Sequence, residues 1–132
     1  MKTTQKRAVA AYRALQEIGR QPFPVRDALR LLQAKKRLET AWEFQLQEEN
    51  KLIESYQPEV RDGKLIMSYG KDDAEGKARA QEFMDKMKEL QELEVEIEGE
   101  PVPVRMPGDE IRIRPETLAA LDGIVSWEEA EA

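Results

Sequence analysis

From Val25 to Tyr56 the chain runs for 32 residues without a glycine or a proline. Leu, Ala, Gln, Glu, Lys and Arg dominate the stretch, and these residues lose little side-chain freedom in a helix. One helix of that length extends roughly 48 Å, longer than a compact domain of this size is wide. It must therefore protrude or have a partner lying along it. Ala28, Leu31, Leu38, Trp42, Leu46, Ile53 and Tyr56 recur at helical spacing and mark the face to be covered, with Lys35 and Glu49 interrupting it. Pro58 stops the helix soon after.

A partner lies further along the chain. Ala74 to Leu93 is a second helical run, with Ala80, Phe83, Met87 and Leu90 as its stripe and Met84 and Leu93 widening it. Asp72 and Glu75 have the spacing of a capping box. The two runs are expected to pack antiparallel as a helical hairpin. In the link between them, Arg61-Asp62-Gly63 reads as a turn and Lys64–Tyr69 as a short strand. Upstream, Thr4 to Ile18 forms a shorter helix with Val9, Tyr12, Leu15 and Ile18 on one face beside Ala8 and Ala11. Thr3 or Thr4 caps it, and Gly19 is expected to end it in a left-handed conformation. Pro22 and Pro24 then force an extended connector.

After Leu93 the hydrophobic period falls from 3.6 to 2. Glu94–Glu98 and Glu110–Arg114 alternate as half-buried strands, and Val102–Met106 is extended, with Pro103 confining it to an edge or a bulge. Pro115 opens a short helix through Leu121, which Gly123 ends. Ile124–Trp127 adds a last apolar segment, and Glu128–Ala132 reads as a frayed acidic tail. These elements give an α+β fold: a long antiparallel helical hairpin, a short N-terminal helix and a small antiparallel sheet of three or four strands. They form one domain over residues 1–132, with helical parts at 4–57 and 74–93 and a β-rich part at 94–127.

The 132 residues include no Cys and no His, which removes disulfides, Cys/His zinc sites, thiol nucleophiles and imidazole acid–base chemistry. Ser55, Ser68 and Ser126 lack a nucleophile-elbow context, and Gly63, Gly70 and Gly76 are too dispersed to cradle a phosphate. The carboxylates are many, but none is isolated in an apolar setting that would raise its pKa. Asp72-Asp73-Ala74-Glu75 lacks the ligand spacing of a calcium loop, and a helix N-terminus explains its charge. No enzyme activity and no cofactor are expected. Nothing approaches the roughly 18 apolar residues of a membrane span, and no apolar stretch follows the basic N-terminus, so a cytoplasmic protein is expected.

Charge is divided unevenly along the chain. Residues 1–46 hold ten Lys/Arg and four Asp/Glu, whereas residues 47–132 hold eleven and twenty-three. Four groups of residues follow as candidate partner contacts. The first is the acidic row Glu92, Glu94, Glu96, Glu98 and Glu100, either a ridge for a basic partner or a solvated strand face paired with Arg112 and Arg114. The second is the basic face Arg20, Arg26, Arg30, Lys35, Lys36 and Arg37, which suits a helix-turn-helix over residues 4–37 or a charged flank covering apolar surface. The net charge of −6 disfavours general binding to nucleic acid. The third is the scarce aromatics Trp42, Trp127 and Phe23, as anchors for a partner or as core. The fourth is the stretch Trp42–Tyr56 as a surface for self-association into a homo-oligomer.

The order of segments resembles that of small proteins of bacteriophages and prophages from Gram-positive hosts. Leu52-Ile53-Glu54-Ser55-Tyr56 closes the long helix, and Tyr69-Gly70-Lys71-Asp72-Asp73-Ala74-Glu75-Gly76 makes a polar link. Glu94-Val95-Glu96-Ile97 and Ile113-Arg114-Pro115-Glu116-Thr117-Leu118-Ala119-Ala120-Leu121 follow, so the likeness covers roughly residues 28–128. Gln57–Ser68 departs from the simplest version of the pattern. The resemblance implies a phage-encoded accessory protein of the host cytoplasm with no assigned activity, a setting in which small acidic inhibitors of host defence are common. The leading expectation is non-catalytic binding of another protein, of host or phage. Alternatives are an anti-CRISPR-like inhibitor that mimics nucleic-acid charge, a helix-turn-helix regulator, and a metal-dependent enzyme.

Overall fold

The computed structural model describes residues 1–56, 59–61, 64–66, 74–108 and 110–129. In chain order the elements are β1 (Lys2–Thr4), α1 (Gln5–Ile18), α2 (Val25–Tyr56), β2 (Glu59–Arg61), β3 (Lys64–Ile66), α3 (Ala74–Glu92), β4 (Glu94–Glu96), β5 (Val102–Arg105), α4 (Pro115–Ala120) and β6 (Val125–Glu128). The Gly- and Pro-free stretch is one unbroken helix, and the chain is α+β with a short N-terminal helix, as its patterning predicts.

The long helix is shared between two partners. Over its first half α2 packs antiparallel on α1: Gln5 reaches Ala41, Tyr12 stacks on Trp42 with ring centroids 4.7 Å apart, and Leu15 and Phe23 face Leu31 across one cleft. Over its second half it meets α3, where Tyr56 packs edge-on against Phe83 at 5.6 Å. The Gln5 N–H donates to the Leu93 carbonyl at 2.7 Å, bringing the end of α3 back to the start of α1. The expected α2–α3 hairpin therefore covers only part of the rod, and α1 is a core helix rather than an appendage. Ala8, Ala11, Tyr12, Leu15 and Ile18 all lie in the core with Leu31, Ala34 and Leu38.

Burial on α2 departs from the expected stripe. Leu31, Leu38 and Tyr56 are buried and Trp42 and Ile53 half-buried, but Ala28 and Leu46 face solvent, while Asp27, Ala34 and Gln45 are buried instead. On α3, Phe83 and Leu90 are buried, and Met84 and Leu93, expected to widen its stripe, are exposed. The Asp72 half of the expected capping box lies outside the described residues. Thr4 caps α1 by accepting the Arg7 N–H at 3.2 Å. Gly19 is not left-handed: its φ is −63°, and its N–H still donates to Leu15 at 2.9 Å. Pro22, which has no N–H, prevents further helical bonding.

Among the described residues the β structure is three separate pairs, not one sheet of three or four strands. β1 captures β4 antiparallel, with Thr3 opposite Val95; the strand ends at Glu96, short of the expected Glu98. β2 pairs antiparallel with β3. β5 pairs parallel with β6, Val102 opposite Val125, across a crossover that contains α4. Glu110–Arg114 joins no ladder. Its alternation holds in burial, with Ile111 and Ile113 packed on the core, but the backbone of Arg112 is taken by a side chain. The Gln21 amide donates to the Arg112 carbonyl at 2.6 Å and accepts the Arg112 N–H at 2.9 Å.

The outer edge of β5 is closed by α2. Arg30 donates to the Pro103 carbonyl at 3.0 Å, Asp27 accepts the Arg105 N–H at 3.3 Å, and Pro103 has no N–H to satisfy. About two helical turns beyond Arg30, Arg37 donates to the Glu100 carbonyl at 2.5 Å. Side chains on one line of a helix thus stand in for a third strand, which removes an edge that would otherwise pair with other chains. Gly99 makes the last contact possible. Its φ is +90°, and a Cβ there would come within 2.7 Å of the Arg37 guanidinium carbon.

Candidate functional site

Between Gly19 and Leu38 the chain carries six cations and a single acid, Asp27. The fold sorts them onto two sides of α2. Arg30 donates to the Pro103 carbonyl in β5 and Arg37 to the Glu100 carbonyl just before it, and Asp27 is 1% exposed with the Arg105 guanidinium 3.4 Å away. Arg20, Arg26 and Lys36 stay exposed, and Lys35 is half-buried with its ammonium 5.4 Å from the Tyr12 ring centre.

Beside these cations lies a groove of about 420 Å³, cut between the end of α1, the Arg20–Pro24 connector and the first turns of α2. Leu15, Phe23, Ala28, Leu31 and Leu32 give its apolar lining, and Arg20, Lys35, Gln16 and Gln21 its polar lining. Phe23, 9% exposed, belongs to the core cluster. The apolar surface does not end at the rim. Val25, Leu29 and Leu32 are 87%, 55% and 45% exposed and follow each other at four and three residues along the solvent side of α2. Opposite the core, α2 thus carries a second apolar stripe. The groove lining has no carboxylate, hydroxyl, thiol or imidazole. The groove thus sets apolar surface beside two cations.

The other candidate residues are dispersed. Glu94 and Glu96 lie on β4 next to β1: Glu96 is 3.3 Å from the Met1 amine, and Glu94 is 3.9 Å from Lys2. Glu98 and Glu100 follow, both exposed. Arg112 and Arg114 do not pair with this row; Arg114 binds Glu17 at 2.6 Å on the far side of α1. Trp42 is spent on Tyr12, with the Arg13 guanidinium 5.3 Å from its ring centre. Trp127 is half-buried against the core, and its indole N–H has no partner among the described residues. Ser55 serves through its carbonyl, which accepts from Arg79 at 2.7 Å; Ser68 and Asp72-Asp73 lie outside the described residues. Among the described residues no group of acids is placed to hold a metal ion, and no helix is long and apolar enough to cross a membrane.

Among the described residues two carboxylates are perturbed, both at helix junctions. A hydrogen bond from the Thr117 hydroxyl at 2.7 Å, aided by Arg114, holds Glu17 below the usual carboxylate range. The Tyr56 hydroxyl, donating at 2.6 Å, does the same to Glu82, with Lys86 assisting. The Tyr56 hydroxyl, and then Glu82, raise Lys86 above the ordinary lysine value. These groups join α1 to α4 and α2 to α3.

Of the groove residues, Phe23 and the cations are visible in sequence as candidates. Leu15 and Leu31 read as core, and Val25, Leu29 and Leu32 are missed. Their i, i+4, i+7 spacing was the available signal, because it lays a second apolar stripe on a helix already assigned one. Compared with protein-family models, with curated proteins and with solved structures, the chain matches none.

Proposed function

We propose that the protein is a non-catalytic binding protein, a phage-type accessory factor that acts by engaging another protein through the α1–α2 groove and the adjoining α2 surface. One observation carries this reading: three large aliphatic side chains, Val25, Leu29 and Leu32, stand in water beside an apolar cleft that reaches the core. Contiguous exposed apolar surface of this kind, rimmed by polar residues, marks interaction sites. The basic-helix reading has less support, since Arg30 and Arg37 are tied to backbone carbonyls and are not free to reach a nucleic acid. A second reading, acidic mimicry by a host-defence inhibitor, draws on the consecutive exposed carboxylates Glu94, Glu96, Glu98 and Glu100.

Affinity capture with three proteins separates the two readings: wild type, Leu29→Glu with Leu32→Glu, and the four acids changed to Gln. A protein held by the wild type and by the Gln variant but lost from the Leu29/Leu32 variant is the expected result. Loss only in the Gln variant would transfer the function to the acidic row. Circular dichroism confirms that each variant is folded.

A further inference from the structure

We propose that the groove takes an acidic amphipathic helix from another protein, laid along the first two turns of α2; this rests on the binding function argued above and names its partner. The form of the partner follows from the walls. In the connector, Pro22 and Pro24 have no N–H, and the Gln21 and Phe23 N–H groups already donate to Ile18 and Gln21 carbonyls at 3.0 and 2.9 Å. The other walls are helices whose backbones bond internally. An extended strand would find no ladder here and would leave its own N–H and C=O groups unpaired, at a cost of a few kcal/mol for each one buried. A helix brings its backbone bonds with it.

The length of the surface points the same way. Apolar groups run from Val25 to Leu32, about 10 Å along α2, and continue sideways into the cleft at Phe23. A small ligand would fill the cleft and leave Val25 and Leu29 wet. A helix with apolar residues at i, i+4 and i+7 covers both.

The charge sets the partner's sign. Arg20, Arg26, Lys35 and Lys36 surround the apolar strip, and the nearest exposed acid along the helix is Glu39. A second copy of this chain meeting the same surface isologously would bring two cationic patches together. Carboxylates flanking the apolar face of a foreign helix complement them.

The probe is a fluorescein-labelled helical peptide of about 18 residues, long enough to be partly helical in water, with Leu at i, i+4 and i+7 and Glu on its flanks. Two control peptides carry Lys for Glu, or a central proline. Fluorescence anisotropy with the full chain should give saturable binding to the acidic helix, weakened at least about tenfold by each control change, by Arg20→Glu with Lys36→Glu, and by Leu29→Asp with Leu32→Asp. Binding should also weaken as salt rises. All four substituted side chains are exposed, and folding is checked by circular dichroism.

No binding of the acidic helix, equal binding of the Lys peptide, or a preference for anionic phospholipid vesicles over the peptide would overturn the proposal. If capture of a protein partner still depends on Leu29 and Leu32 while the acidic peptide fails, the binding function stands and this occupant is wrong. If neither depends on those residues, both fall.

Discussion

Asp27→Ala tests the idea that α2 replaces a strand at the edge of β5. The Asp27 side chain is 1% exposed; one oxygen accepts the Arg105 N–H at 3.3 Å, and the other lies 3.4 Å from Arg105 Nε. Removing it orphans a partly buried backbone donor and deletes a charge-assisted hydrogen bond, together worth about 1.5–3 kcal/mol. The acid also sits in the first turn of α2, where a negative charge contributes about 0.3–1 kcal/mol. The guanidinium adds little, about 1 kcal/mol or less, because at 37% exposure it can return to water. The expected loss is about 3 kcal/mol, which for a chain of this size lowers Tm by about 10 °C. Asp27→Asn keeps an oxygen for the Arg105 N–H and loses only the charge, so about half that loss is expected. Urea unfolding followed by circular dichroism measures both, with an unchanged m-value as the sign that the fold is intact. An Ala variant within about 0.5 kcal/mol of wild type, the range of an ordinary surface change, would refute the reasoning. So would an Asn variant as costly as Ala, since charge rather than backbone capture would then be the working element.

Gly99→Ala should cost about 1–2 kcal/mol from its left-handed φ alone, and more because the new methyl meets the Arg37 guanidinium; a neutral substitution in the same unfolding assay would deny that contact. Gln45 is 3% exposed and its Oε1 has no partner among the described residues, so Gln45→Met should leave stability unchanged or raise it by about 1 kcal/mol despite losing the bond to Glu49. A loss exceeding about 1 kcal/mol would mean that the amide is fully satisfied. Glu17 and Glu82 both have folded pKa values below their unfolded ones, so their stabilisation is complete above the unfolded carboxylate pKa of about 4.3 and fades as pH falls through the folded values. Thermal melts on the acid side should therefore show a drop in Tm that is smaller in Thr117→Val and Tyr56→Phe; identical acid profiles would remove both hydroxyls from the account.

The helices were legible because their signal is local. Thr4 precedes a clean apolar face, Val25–Tyr56 contains no breaker, and Pro115 opens α4, so each element can be read within a few residues of itself. The strand partners were not legible, because pairing is decided by what else competes for the backbone. Glu110–Arg114 alternates as a strand should, yet Gln21, 91 residues away in sequence, supplies the donor and the acceptor that a neighbouring strand would have given Arg112. The sheet was expected to be antiparallel; the chain instead passes from β5 through α4 before pairing parallel with β6. The buried face of α2 was displaced for a similar reason. Asp27 and Gln45 sit where apolar residues were expected: Asp27 is held there by the Arg105 backbone, 78 residues away in sequence, and the Gln45 amide nitrogen by Glu49.

The uneven charge of the chain acquires a different meaning once it is folded. Read linearly, Arg20 to Arg37 is one basic face that could lie against a phosphate backbone. On a helix the charge divides. Arg30 and Arg37 share a side with Asp27 and are drawn to the carbonyls of Pro103 and Glu100, where each satisfies an acceptor. Lys36 lies on the other side, the one that carries Val25, Leu29 and Leu32, while Arg26 stays exposed one turn before Arg30. Two unequal surfaces result: an internal one, in which Arg30 and Arg37 fix the β5 segment against α2, and an external one, in which Arg20, Lys35 and Lys36 stand among aliphatic groups. A phosphate lattice is best met by dense charge without apolar side chains, and a protein helix by sparse charge around an apolar strip. The external surface is of the second kind, and the internal hydrogen bonds of Arg30 and Arg37 are what make it so.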